Sequence, residues 1–184
     1  ADKGVRALKQ YLVAYMAAQR QGNASTMNRG DKVTIPGKKW GPQKGSGGAR
    51  HGDKTAPQIH GGAVAFGPKP RKYTKKLNAT TKRLAFLRAL SDRAQSGSLS
   101  LIERFELKKP STKELSGILK KISAKGKMLI VDDTFSAPAL LSARNIERVD
   151  LTDAALLNAF DVVRYPSIVI SQKGLEKLLT RVTA

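Results

Sequence analysis

Between Asn28 and Lys76 no run of this chain repeats apolar residues at a helical spacing. Its large apolar side chains (Val33, Ile35, Trp40, Ile59, Val64, Phe66, Tyr73) are scattered. Residues 29–83 carry 14 Lys and Arg against two acids, Asp31 and Asp53, together with 10 of the 16 Gly and 5 of the 8 Pro. A stretch so composed cannot build its own core. Ordering it costs about 1–2 kcal/mol per residue, with little burial to offset the cost. Compact domains seldom hold structureless loops above about 15 residues unless these are functional or disordered. The stretch reads as a long basic extension, disordered alone and ordered by a polyanion, rather than as a plain flexible linker.

The rest of the composition points the same way. The 184 residues hold 34 Lys and Arg and 14 Asp and Glu, a formal charge of +20. Self-repulsion of that size is costly without a polyanion nearby. Nucleic acid is the first choice of partner, a charged membrane surface the second and acidic protein the third. One Trp, 4 Tyr and 5 Phe are too few for recognition built mainly on stacking. Without Cys there is no disulfide framework, thiolate zinc site, thiol nucleophile or iron–sulfur cluster. No apolar run approaches the roughly 18–20 residues of a membrane span. The start at Ala1-Asp2-Lys3-Gly4 lacks both a signal-like apolar core and an initiator Met, so a processed or truncated start is expected.

The flanks look folded. Val5, Leu8, Leu12, Tyr15 and Met16 predict a helix ending near Gly22. Leu84, Leu87, Leu90 and Ala94 predict a second, with Thr80 or Thr81 as N-cap and Gly97 past its end. Strand and helix patterns then alternate. Residues 99–105 read as a strand, and Ser111 to Glu114 as a capping box opening a helix with Leu115, Ile118, Leu119 and Ile122. Strand 127–131, helix 137–144, strand 149–151, helix 153–159, strand 167–170 and helix 171–182 follow. Alternation at these lengths implies an α/β fold with a mostly parallel sheet, and the apolar strands suit a sheet covered on both faces. The expected domains are a globular body of residues 1–27 and 83–184, with an extended basic loop of residues 28–82 inserted between the first two helices.

No catalytic constellation emerges. The phosphate-loop motif is absent. Gly45-Ser46-Gly47-Gly48-Ala49-Arg50 has Arg50 where a dinucleotide fingerprint needs its third Gly, and it follows no strand. His51 and His60 have only Asp53 near them as a further metal ligand. No cofactor or metal is expected. Asp132-Asp133 lie just past a predicted strand end, where open α/β sheets place functional groups. Turning and capping the chain is the more favoured role for them. A nucleotide- or nucleic-acid-acting enzyme is therefore the alternative reading, with a free-standing RNA-binding protein a third.

The extension carries the positive signals. Lys38-Lys39-Trp40 joins charge to an aromatic. The glycines of 45–48 let backbone approach a surface that Cβ atoms would hold off. Gly67-Pro68-Lys69-Pro70-Arg71-Lys72-Tyr73 is stiff and extended, because each Pro fixes φ and pushes the residue before it towards extended backbone. Lys75, Lys76, Lys82 and Arg83 continue the basic run. Such a segment meets phosphates by charge and shape rather than by base-edge code. Half its length at about 3.3 Å per residue sets a ceiling of roughly 90 Å on its reach.

These residues also carry a resemblance. Gln19-Arg20-Gln21-Gly22, Trp40 through Arg50, Gly61 through Tyr73 and Leu84 to Ser91 resemble the L-four family of large-subunit ribosomal proteins. That family's loop reads approximately W-R-Q-K-G-T-G-R-A-R, then G-G-x-x-F-G-P-x-P-R-x-Y. Weaker similarity runs through Ala143-Arg144-Asn145, Val149-Asp150 and Ala159 to Val163. The resemblance implies a Rossmann-like three-layer body and a loop threading large-subunit rRNA to the nascent-peptide exit tunnel, beside the loop of protein L-twenty-two. It further implies a monomer within a ribosome that is cytoplasmic and bacterial in type, or organellar, with no membrane partner.

Carried over by position, Gln43, Lys44, Gly45, Ser46 and Gly47 form the tip, with Ala49 and Arg50 just behind. Lys38, Lys39 and Trp40 pack on RNA. Lys69, Arg71, Lys72, Lys75, Lys76, Lys82 and Arg83 bind rRNA nearer the body. Gly48 stands where the family has Arg. Gly41-Pro42 adds a position after the Trp. The family's first strand, ahead of the Val5 helix, is missing.

Overall fold

In the computed structural model, which describes residues 3–31, 35–107, 109–122 and 126–183, the chain divides into two compact units. One is Ala1–Ala17 with Lys75–Ala184, the other Ala18–Thr74. Val33 lies outside the described residues.

The first unit is mixed α/β. Its four strands are β1 (Leu99–Ile102), β2 (Met128–Asp132), β3 (Val149–Asp153) and β4 (Ser167–Ser171). They form one sheet in the order β1-β4-β2-β3, every neighbour parallel. The helices are α1 (Lys3–Ala18), α2 (Ala79–Gln95), α3 (Thr112–Ile122), α4 (Ala137–Ala143), α5 (Ala159–Arg164) and α6 (Gln172–Thr183). Successive residues of a strand face opposite ways. Leu129 and Val131 of β2 accordingly join Ile168 and Ile170 of β4 in one cluster with Phe86, Val162 and Leu178. Met128 and Ile130 join Val169 in a second cluster with Leu115, Leu119, Ala139 and Ala143. Helices thus cover both faces, and all five residues of β2 are buried.

Five local expectations need correction. The α1 face is rotated: Val5 and Met16 are exposed, Ala7 and Ala14 are buried, and Tyr15 stacks on Phe160 at 4.6 Å. On α2, Leu84 and Leu87 are exposed while Ala85, Phe86 and Ala89 are buried. Its N-cap is Asn78 rather than Thr80 or Thr81. The first strand stops at Ile102, yet Phe105 beyond it still enters the second cluster. The helix expected at 153–159 begins instead at Ala159, because the Asn158 side chain accepts from the Asp161 N–H at 3.0 Å and caps it there.

The capping Ser111 behaves as expected on one side, its hydroxyl accepting from the Glu114 N–H at 3.3 Å. Its own N–H goes to the Ser142 hydroxyl at 2.9 Å, not to the Glu114 side chain.

Candidate nucleic-acid interface

The unit Ala18–Thr74 has one short 3-10 turn, Arg29–Asp31, among its described residues. Isolated backbone bonds still pair its outgoing and returning legs. Arg71 N–H donates to Gly22 O at 3.0 Å, Thr26 N–H to Pro68 O at 3.1 Å, and Val64 N–H to Met27 O at 3.3 Å. Partner numbers rise on one leg as they fall on the other, so the legs run antiparallel. Farther along, Trp40 N–H donates to Gly52 O at 2.8 Å. Gly22 has φ +68°, and a Cβ on it would lie 2.0 Å from Arg71 O, so only glycine lets the legs meet there.

Cations line these legs. The Arg20 and Arg71 guanidinium carbons lie 3.9 and 4.4 Å from the Tyr73 ring centroid, one from each leg. Arg71's hydrogen bond and charge pull the Tyr73 hydroxyl pKa below that of an ordinary phenol. Trp40 is half exposed, with the His51 ring 5.4 Å away and Lys54 Nζ 5.4 Å from its ring.

Every expected contact residue is exposed: Lys38, Lys39, Trp40, Arg50, Lys69, Arg71 and Lys72 in this unit, Lys75, Lys76, Lys82 and Arg83 in the other. Among the described residues none of these cations pairs with a carboxylate. Lys39 instead reaches the Gln43 side chain. Arg83 donates to Val182 O at 2.7 Å, beside a pocket of about 400 Å³ lined by Lys82, Arg181 and Phe86. The tip residues Gln43, Lys44, Gly45, Ser46, Gly47 and Ala49 are all exposed. Gly45 and Gly47 have φ +87° and +66°, with nothing within 4 Å of where a Cβ would sit.

The alternative catalytic residues are occupied structurally. Asp132 is buried at the end of β2, and its carboxylate accepts from Ser171 Oγ at 2.6 Å and from Asp133 N–H at 2.7 Å. The Ser171 hydroxyl accepts in turn from Gly174 N–H at 3.0 Å, capping α6. Asp133 pairs with Lys177. Asp53, the acid near the histidines, accepts from Arg29 Nη2 at 2.7 Å and Thr55 Oγ1 at 2.8 Å, which lowers its carboxyl pKa. No group of three or more His, Asp or Glu able to hold a metal occurs among the described residues. Nor is any of their helices long and apolar enough to cross a membrane.

Comparison with known families decides the assignment. The profile of the "Ribosomal protein L4/L1 family" matches residues 4–181. The chain belongs to the ribosomal protein L4/L1 family.

Relatives named "Large ribosomal subunit protein uL4" agree. The protein of Brevibacillus brevis is 37% identical over 91% of this chain and 80% of its own length. That of Heliobacterium modesticaldum is 36% identical over 93% and 82%, and that of Oenococcus oeni 40% over 88% and 78%. These names are those of ribosomal proteins, not of enzymes. The L4/L1 match spans both units.

Sequence reasoning missed three contacts here: the Arg20–Tyr73–Arg71 stack, the His51–Trp40 contact and the Arg29–Asp53 pair. Each joins residues far apart in the chain. Only the Arg71-x-Tyr73 spacing gave a local signal.

Proposed function

We propose that this L4/L1 family member is a structural component of the large ribosomal subunit. It binds large-subunit rRNA and extends the loop of residues 28–82 to the nascent-peptide exit tunnel, supporting assembly and translation. The observation that carries this reading is a run of exposed cations that, among the described residues, have no carboxylate partner, many of them on legs tied together by their own backbone. Lys38, Lys39, Arg50, Lys69, Arg71, Lys72, Lys75, Lys76, Lys82 and Arg83 contact phosphates, and Trp40 packs on RNA. Arg83 divides its donors between a carbonyl and the RNA. The open parallel sheet with helices on both faces supports a Rossmann-like body. Gln43, Lys44, Gly45, Ser46, Gly47 and Ala49 form the tip near the L-twenty-two protein. The protein acts as a monomer within a cytoplasmic ribosome, in keeping with its bacterial relatives.

The test is co-sedimentation of the tagged chain with large subunits through a moderate salt wash. Release of the chain into the supernatant would refute the reading. At the tip, Lys44→Glu is expected to alter nascent-chain passage or macrolide response and to leave the melting temperature of the isolated protein unchanged. Lys44 is exposed, within a stretch (41–52) that is exposed throughout. An equal loss of thermal stability would contradict a tunnel role.

A further inference from the structure

A segment that binds a polyanion loses affinity with every acid it carries. Residues 29–83 carry only Asp31 and Asp53, and both side chains act on one turn. Asp31 Oδ2 accepts from Asn28 N–H at 3.1 Å and closes the turn. Asp53, on the returning leg, accepts from Arg29 Nη2 at 2.7 Å and Nε at 3.3 Å, across 24 residues of chain. Thr55 Oγ1 supplies a third donor at 2.8 Å.

A second observation marks the same place. Among the described residues of Ala18–Thr74, only Thr55, Ala56 and Ala63 are buried. Ala63 N–H donates to Thr55 O at 3.0 Å, and Val64 N–H donates to Met27 O at 3.3 Å. Three stretches (27–31, 53–56 and 62–64) therefore meet around the two acids and form the interior of the segment's described residues.

We propose that the Asp31- and Asp53-held turn is a joint that locks the returning leg onto the outgoing leg and so sets the direction of the tip. Arg29, Asp53 and Thr55 are its positioning residues, and Arg29 is withdrawn from phosphate binding by its pairing. The joint stands on contacts within the segment. Only its effect on the tip rests on the rRNA-binding reading.

The test has two arms. In the first, amide hydrogen exchange is followed in the isolated full-length chain and in Asp53→Asn. The wild type is expected to protect the Ala63 and Val64 amides. Asp53→Asn is expected to speed their exchange at least fivefold and to leave the Arg71 amide, bonded to Gly22, within twofold. An unprotected wild type, or unchanged exchange at Ala63 and Val64 in the variant, would overturn the joint. In the second, both proteins compete for incorporation into large subunits, with Glu106→Gln as a charge-matched control. The joint expects Asp53→Asn to lose at least threefold despite its added positive charge. A gain or no change, as for Glu106→Gln, would make Asp53 a mere charge and overturn its positioning role. If neither protein is incorporated, the rRNA-binding reading fails, while the exchange arm still decides whether the joint exists.

Discussion

Tyr165 donates its hydroxyl proton to the Asp150 carboxylate while its ring is buried in the first core cluster. Burial first, and the Asp150 bond second, push its pKa up to about 12. A phenol in the unfolded chain titrates near 10. The folded state therefore favours the neutral form. That stability is complete below pH 10 and declines as the pH rises towards 12. Tyr165→Phe is expected to cost about 1.5–3 kcal/mol at neutral pH, as for a lost hydrogen bond to a charged group. It is also expected to flatten the fall in melting temperature between pH 10 and 12. A calorimetric series at both ends of that range checks this, and parallel curves for the two proteins would contradict it. At this scale the sequence displayed which residues are charged, and every expected contact residue is exposed. It did not display partners. Tyr165–Asp150 and Arg29–Asp53 join residues 15 and 24 apart. No periodicity encodes such pairs.

Helix α2 illustrates what patterning could and could not give. Its extent was nearly legible, with Gly97 at φ +67° just past its end. Its buried face was not, because small residues turn it. Ala85 and Ala89 are almost fully buried, which brings the α2 backbone close to the core, while Leu84 is 41% exposed. The apolar stripe of leucines was a misleading guide for that reason. Arg93 secures the same approach by donating to the Val162 and Val163 carbonyls at 3.0 and 2.7 Å, where α5 ends. Ala89→Leu is expected to overpack this contact and cost about 1–3 kcal/mol. Leu84→Ala, on the exposed side, is expected to stay within about 1 kcal/mol of wild type. Urea unfolding of both variants measures the contrast, and a larger loss at Leu84 would place the packed face where the sequence pattern put it. The strands were easier to read, since the apolar run at 128–131 is buried on both sides of a parallel sheet.

At the scale of the whole molecule, charge and core are divided. The α/β unit holds both hydrophobic clusters, and residues 29–83 hold net positive charge with little apolar burial. The sequence made that division visible because composition changes abruptly along it. It gave no hint that the legs would pair through their own backbone or that the two acids would share one turn. Binding of the intact chain to large-subunit rRNA, measured across a salt series, tests the central claim most directly. Six to ten phosphate contacts require the affinity to fall by about 10³–10⁵ between roughly 50 and 200 mM salt. An affinity that stays flat across that range would contradict the account, because it would mean that the exposed lysines and arginines of the segment do not meet phosphate.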